Sequence, residues 1–267
     1  MTRLALIGAS GRMGRAVVRA ANGRSDITLV AAIVSPGSAH RDEDVGILAG
    51  VASQGLKTSV DLAAGITTAD VVVDFSSGEA TATNIAACLM ARKPLLIGTT
   101  GFSAETHSAA RAAARTIPVM LAPNTSLGVA LLTELVRTAA RLLPAEFDIE
   151  ILDLHHRTKR DAPSGTALAL GEAAATARGQ SLEQPVYAGV RGPRRPGQIG
   201  FAAVRGGDLV GEHQVLFLGP GERLSLAHEA SERGVFALGA LQAAAWLSAR
   251  PAGEYSMRDF VSYKSAG

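Results

Sequence analysis

Five short runs between Leu4 and Ala122 are almost continuously apolar rather than alternating: LALI (4–7), TLVAAIV (28–34), VVVDF (71–75), LLIG (95–98) and VMLA (119–122). A strand with one wet face carries polar residues at every second position; a strand without them is covered on both sides. Such strands belong to a parallel sheet, because its crossover connections lay helices on both faces. Helical stretches stand in the right places, at about Arg12 to Ala21, Glu79 to Met90 and Ala104 to Arg115. Pro94 and Pro118 sit at strand entrances, where a missing amide costs least. The first half of the chain is therefore predicted to be a doubly wound α/β domain.

The pattern changes after Ala122. LGVALLTELVRTAARLL, Leu127 to Leu143, has the period of a long amphipathic helix and is closed by Pro144. FDIEILDLH alternates as a strand, with Ile149, Ile151 and Leu154 as its apolar set, and Ser164 to Arg178 is helical. Three more strands are expected around Ile199 to Val204, His213 to Phe217 and Leu224 to Ala227, with turns such as GGD and GPGE closing them. Short turns of this kind indicate an antiparallel or mixed sheet in a second, α+β domain. A last helix, about Gly234 to Ala249, carries Phe236, Leu238, Leu241 and Trp246. Periodicity alone does not say which domain it joins.

A length of 267 residues suits two domains, and 47% hydrophobic with 19% charged residues is a globular balance. The formal net charge of +2 provides no broad footprint for nucleic acid; basic residues from Arg157 onward and in RGPRRPG, Arg191 to Gly197, focus charge locally. Cys88 stands alone in the apolar run NIAACLMA, which excludes an intrachain disulfide and reads as a buried helical thiol. The opening apolar run breaks at Gly8, too early for a secretory signal, and no stretch suits a bilayer span. A cytoplasmic protein without membrane partners is expected.

The first strand leads directly into GASGRMG. Gly8 would allow the tight turn, Gly11 the close approach of a pyrophosphate, and Gly14 the packing of helix on strand. Ala9, Ser10, Arg12 and Met13 complete the loop; its helix-start amides suit an anion and Arg12 adds charge. Strand, glycine turn and helix in this order point to a Rossmann-like dinucleotide site, with a structural turn as the alternative. The end of the second strand lacks the Asp or Glu that usually meets an adenosine ribose. It reads Val34-Ser35-Pro36-Gly37, with the nearest acids displaced to Asp42–Asp44. A 2′-phosphate would meet no repulsion there, and Arg12 or Arg41 could pair with it, so NADPH is permitted beside NADH. Two later turns are candidates for cofactor contact. In GTTGFS these are Gly98, Thr99 and Thr100, with Ser103 placed to cap a helix; in APNTSLGV they are Ala122, Pro123, Asn124 and Thr125. Asn124 reads equally as a ligand hydrogen-bonder or a helix cap.

The densest chemistry lies in LHHRTKRDAPSGTALAL, Leu154 to Leu170. His155 and His156 end a strand, Lys159 follows, and Pro163-Ser164-Gly165-Thr166 opens a helix. Free amides at that start, the Thr166 hydroxyl and the cationic side chains are complementary to a small dicarboxylate. An imidazole is also the side chain most easily poised to donate a proton near neutral pH. Strand side chains alternate in direction, so the two histidines need not share a role. A solvated basic loop is the plainer alternative. No metal site is expected, because the adjacent histidines lack a spaced third ligand and His213 and His228 lie far off on other strands.

Together GASGRMG, VVVDFSSGEAT, GTTGF, APNTSLGV and EILDLHHRTKRDAPSGTAL resemble the dihydrodipicolinate reductase family. The similarity continues through IGFAAVRGGDLVGEH, GERLSLAHEASERGVFALGALQAAAWL and YSMRD. HHRTKRDAPSGT is much more diagnostic than the glycine loop. The resemblance implies reduction of 4-hydroxy-tetrahydrodipicolinate, or the dihydrodipicolinate it yields, to tetrahydrodipicolinate with NADH or NADPH in the diaminopimelate–lysine pathway. It implies His155 as general acid/base, Lys159 as a second proton donor, and His156, Lys159, Ser164, Gly165 and Thr166 at the substrate carboxylates. Cofactor contacts would fall at Gly8 to Met13, Gly98 to Thr100 and Ala122 to Thr125, and Arg233 would help hold the closed substrate site. A homotetramer built through the second domain is implied, as is a last helix that returns to the first. The domains would then be a dinucleotide-binding domain of residues 1–126 completed by 234–267, and a substrate-binding and oligomerisation domain of 127–233.

Three features depart from the family pattern. Val34 or Ser35 replaces a usual acidic residue, so NADH preference does not follow. Asp153 replaces a usual Glu, a shorter carboxylate from which little change is expected. The loop VRGPRRPG is short and the tail FVSYKSAG is unlike its counterparts. Another NAD(P)-dependent reductase, or a non-enzymatic NAD(P)-binding sensor, would share the glycine loop without needing HHxxKxDxPSGT.

Overall fold

A computed structural model describes residues 1–182 and 193–265; Val190, Arg191 and Gly192 of the basic loop and the last two residues of the tail lie outside the described residues. The chain forms two compact units, Met1–Leu127 with Arg233–Gly267, and Gly128–Glu232.

The first unit is built on β1 (Thr2–Ile7), β2 (Ile27–Ile33), β3 (Thr58–Ser59), β4 (Val71–Asp74), β5 (Leu95–Ile97) and β6 (Pro118–Leu121), joined late in the chain by β11 (Gly253–Tyr255). All pair in parallel, in the order β11-β6-β5-β4-β1-β2-β3. The expected doubly wound sheet is present, and the continuous apolar runs explain it. Leu4, Ala5, Leu6, Val71, Val72, Val73, Leu95 and Leu96 are all completely buried, as strands covered on both faces must be. Helices α1 (Arg12–Ala21), α2 (Val45–Ala49), α3 (Leu62–Thr67), α4 (Gly78–Met90) and α5 (Ala104–Ala113) fill the crossovers. Cys88 is buried on α4, where burial pushes its thiol well up from the usual range.

The helix expected to be the last, α8 (Gly234–Leu247), is followed by one more in the tail; it packs on α1 and on β4, β5 and β6. Its contact face is made of small residues, Ala237, Ala240, Ala243 and Ala244, with Leu241 and Leu247, while Leu238 is exposed. Gly239 lets the backbones touch, since a Cβ there would stand 1.8 Å from the Thr125 carbonyl oxygen. Trp246 of α8 gathers Tyr255 of β11 and Phe260 and Tyr263 of α9 (Met257–Ser265), and Arg250 lies over the Trp246 and Tyr263 rings. That aromatic cluster gives the unusual tail a structural role.

The second unit contains β7 (Asp148–His155), β8 (Ile199–Arg205), β9 (Gly211–Gly219) and β10 (Glu222–Ala230), ordered β10-β9-β7-β8. Only β7 and β8 run parallel, so the sheet is mixed. Its inner face, with Ile149, Ile151, Phe201, Val215 and Phe217, packs on Leu132, Val136 and Ala140 of α6 (Leu127–Leu142) and on Leu170 and Ala174 of α7 (Gly165–Ala177). One expectation is corrected here. Leu154 does not join the apolar set of β7, because alternation places it on the other face and puts Asp153 and His155 inward behind Ile151. Arg194 of the basic run pairs with Asp148 and Glu150, so its charge braces β7.

Candidate active site

In the second unit, the strand register assembles a polar cluster on an otherwise apolar face. Asp153 lies opposite His213 of β9, and His155 lies opposite Arg205 of β8. The Asp153 side chain is buried, and its oxygens have different partners. Oδ2 accepts from the Ser164 amide at 2.6 Å and from Arg205 Nη2 at 3.0 Å. Oδ1 lies 2.7 Å from His155 Nδ1 and 3.5 Å from His213 Nε2. The first of these is an ion-pair distance reached off the in-line direction, since neither atom completes a linear hydrogen bond. Burial pushes the Asp153 carboxyl up, but His155, the Ser164 amide and Arg205 outweigh it and hold the group well below the usual carboxylate range.

The start of α7 is fixed by the same residues. Ser164 Oγ accepts from the Ala167 amide as N-cap, and it lies 3.0 Å from His213 Nε2. His213 is buried, which lowers its pKa to about 4; Asp153 opposes that shift, while His155, His228 and Lys159 add to it. The ring is therefore neutral at physiological pH. Gly165 is exposed and Thr166 half-buried at the helix opening. Lys159 Nζ is held 2.8 Å from Asp161 Oδ2, and His156 Nδ1 meets Thr158 Oγ1 at 2.8 Å. Alternation thus separates the two histidines, with His155 buried inward and His156 half-buried on the loop side.

His213, which the sequence placed far away, is a neighbour of both Asp153 and His155. The antiparallel register of β7 and β9 removes that distance, and the His155 and His213 rings lie edge to face at 5.2 Å. Asp153, His155 and His213 bring ligand-type atoms within 4.8 Å of one another, a spacing that suits a cation. Arg205, however, already supplies positive charge to the same carboxylate. Its guanidinium also donates to the Asp153 and Asp161 carbonyls, tying β8 to the cationic loop. Asp153, Arg205, Gly211 and His213 were not singled out from the sequence as site residues. The available signal was an Asp-x-His pair, two positions apart and hence on one face of a strand.

In the first unit, the glycine turn has the shape a dinucleotide needs. Gly8 has φ +82°, and a Cβ on it would stand 2.4 Å from the Phe75 carbonyl oxygen. On Gly14 it would stand 2.2 Å from the Gly8 carbonyl oxygen, so helix and turn close together only without side chains. Gly11 is the N-cap of α1 and supplies no side-chain cap, leaving the first amides for an anion. Ala9 is buried, Ser10 and Met13 are half-buried, and Arg12 is exposed. The Ser10 carbonyl accepts from Arg15 Nε at 2.9 Å, and Arg15 Nη2 meets His40 Nε2 at 3.2 Å, bracing the loop from behind.

After β2, Val34 is buried, whereas Ser35 and Arg41 are exposed. Glu43 pairs with His40, and Asp44 caps α2 through the Gly46 and Ile47 amides, so these acids have structural partners. Gly98 lies against the Phe75 ring, and Thr100 is exposed. Thr99 turns inward to the buried Asp74, whose carboxylate also accepts from the Ser76 amide and from Asn84. Ser103 caps α5 through the Thr106 amide. Asn124 Oδ1 accepts from the Ser126 amide at 2.9 Å, Thr125 Oγ1 donates to the Phe236 carbonyl at 2.6 Å, Ala122 is buried and Pro123 is exposed. Arg233 stands at the N-cap of α8 without a side-chain capping bond.

Comparison with known proteins places both units. Residues 2–125 match the model for the dihydrodipicolinate reductase N-terminus, and residues 128–261 that for its C-terminus. The chain is 46% identical to a 4-hydroxy-tetrahydrodipicolinate reductase of Anaeromyxobacter sp. (strain Fw109-5), over 100% of each chain. It is 48% identical to one of Thiobacillus denitrificans, over 98% of this chain and 99% of that protein. Among solved structures, a dipicolinate-bound dihydrodipicolinate reductase from Paenisporosarcina sp. TG-14 aligns with TM-score 0.76 and 27% identity, over 96% of this chain and 97% of that one. With both halves matched in order and near-complete mutual coverage, the chain belongs to the dihydrodipicolinate reductase family.

Proposed function

We propose that this protein reduces 4-hydroxy-tetrahydrodipicolinate, or the dihydrodipicolinate formed from it, to tetrahydrodipicolinate with NAD(P)H in diaminopimelate and lysine biosynthesis. The observation that carries the reading is family membership across both units, together with the His155–Lys159–Ser164 segment folded as a strand end, loop and helix start. The nicotinamide, when bound, supplies the hydride. Starting from the 4-hydroxy compound, the 4-hydroxyl leaves as water to give dihydrodipicolinate; the hydride and one proton then add, and His155 is the group to hold and deliver that proton. With Nδ1 facing Asp153, Nε2 is its exchanging nitrogen. Lys159 would serve as a second proton donor. The α7 start, with Ser164, Gly165 and Thr166, would receive substrate carboxylates beside His156 and Lys159, and Arg233 would help hold the closed site. This reading needs no metal.

On the cofactor side, Gly8 to Met13 would carry the pyrophosphate, with Gly98 to Thr100 and Ala122 to Thr125 bordering the rest. Dual coenzyme use with a lean toward NADPH is the finer proposal: no carboxylate ends β2, and Arg12 and Arg41 are exposed nearby in the chain. The proposal extends to a homotetramer through the second unit. The outer face of its sheet carries Leu152, Leu154, Ala202, Val204, Leu216 and Leu218 interleaved with Glu150, Glu212 and Gln214, and Val204 is 50% exposed. Sedimentation at working concentration is expected to give one species near four chain masses; a clean monomer would refute the assembly. No helix among the described residues is long and apolar enough to cross a membrane. The reaction is tested with purified protein and freshly generated synthase product, following loss of NADH and NADPH absorbance separately. Substrate-independent traces with both coenzymes would refute it.

A further inference from the structure

We infer that Asp153 is a positioning residue of the reaction, one carboxylate that fixes both the acid/base histidine and the helix start meant for substrate carboxylates. The inference rests on reading His155 as the acid/base group. Alternation on β7 continues inward from Ile149 and Ile151 to position 153, where an apolar side chain would extend the core. The chain instead buries a carboxylate there, and a buried charge is costly unless paired and hydrogen-bonded. Packing alone does not account for it.

The two oxygens divide the work. Oδ2 is engaged by the Ser164 amide and the Arg205 guanidinium, which orient the carboxylate and tie it to the start of α7. Oδ1 completes no linear bond with either and faces His155 Nδ1 at 2.7 Å. An anion on that side keeps the proton on Nδ1, leaves Nε2 to exchange with substrate, and stabilises the ring whenever it becomes imidazolium. His213, the other imidazole near Oδ1, is neutral and 3.5 Å away, so it offers the carboxylate no competing charge. An amide in place of the carboxylate has one accepting oxygen and one donating nitrogen. It must turn that nitrogen toward either Ser164 and Arg205 or His155, all of which are donors.

The test uses full-length Asp153→Asn, Asp153→Ala and Asp153→Glu beside wild type, with kcat, both Michaelis constants, thermal melting and NADPH binding by fluorescence. Asp153→Asn is expected to lose about 10²–10⁴-fold in kcat while NADPH affinity stays within about twofold. Formate is expected to raise Asp153→Ala turnover saturably by at least about tenfold, and Asp153→Glu to stay within about tenfold of wild type, since a carboxylate is restored in each case. A kcat within about threefold of wild type for Asp153→Asn, or no formate response from a folded Asp153→Ala, overturns the role. Loss of cooperative melting in all three variants also overturns it, because Asp153 would then be a folding residue. An inactive wild type tells instead against the proposed reaction, which keeps the two failures apart.

Discussion

Gly211 makes the geometry around His155 testable without touching a functional group. It opens β9, one step beyond the Leu154–Glu212 pair and hence opposite His155. A Cβ built there would stand 2.8 Å from His155 Nε2 and 3.2 Å from Cδ2, where ordinary contact begins at 3.4 Å. Gly211 does not occupy a left-handed backbone conformation, so the conflict in Gly211→Ala is with the ring itself. Asp153 sits at the Nδ1 side of that ring, which leaves it little freedom to retreat. The needed displacement is roughly half an ångström; misplacement by about 1 Å can cost ~10²-fold in rate, so about tenfold in kcat is expected. Stability is expected to fall by about 1–3 kcal/mol, the usual range for overpacking. The assay is steady-state kinetics and thermal melting of Gly211→Ala beside Gly206→Ala, whose added Cβ would meet nothing within 4 Å. Wild-type kcat in a folded Gly211→Ala would refute the assignment of Nε2 as the reacting nitrogen held in place.

Three further outcomes follow from the site. His155→Gln and Lys159→Ala are each expected to lower kcat by about 10²–10⁴-fold with melting unchanged, Lys159→Ala also raising the substrate Michaelis constant; near-normal kinetics in both would make the segment structural. His213 has its pKa lowered from 6.5 to about 4 in the folded chain, so the unfolded chain takes up the proton first on acidification. Its contribution is complete above about pH 6.5 and is lost as pH falls toward about 4, at most about 3 kcal/mol; His213→Gln should flatten the decline of melting temperature across that window. Arg41→Ala is expected to raise the NADPH Michaelis constant by about 10–100-fold, if one charge-assisted bond to the 2′-phosphate is lost, and barely to change that for NADH; a hundredfold wild-type preference for NADH would refute the coenzyme reading.

The first unit was legible where burial is two-sided. Runs such as VVVDF and LLIG have no polar alternation, and their strands Val71–Asp74 and Leu95–Ile97 are buried throughout. Most of what escaped was short, the nine-residue α9 of the tail excepted. The two-residue β3, the three-residue β11 and the five-residue α2 are too brief to display any period, and tertiary pairing makes them. The return of α8 was equally invisible to periodicity, because its packing face is alanine and glycine rather than a stripe of large residues.

The second unit shows a different limit. Lone segments revealed His155, Lys159 and Ser164, but Arg205, Gly211 and His213 reach the cluster only through strand register, a relation between segments rather than a property of any one. By residue type alone, Leu154 joins Ile149 and Ile151 in the apolar set. The alternation of β7 requires the reverse, and the inward places go to Asp153 and His155. A strict period-2 reading would have exposed a conflict: apolar, apolar, acid, imidazole on one buried face. Such a break in local consistency is where function is expected to concentrate, since a buried carboxylate persists only if its neighbours satisfy it. Here Ser164 and Arg205 bond one oxygen from the helix start and the neighbouring strand, and His155 of the same strand faces the other at ion-pair distance. Three separate parts of the chain thus meet at one side chain, and altering that side chain should affect chemistry before it affects the fold.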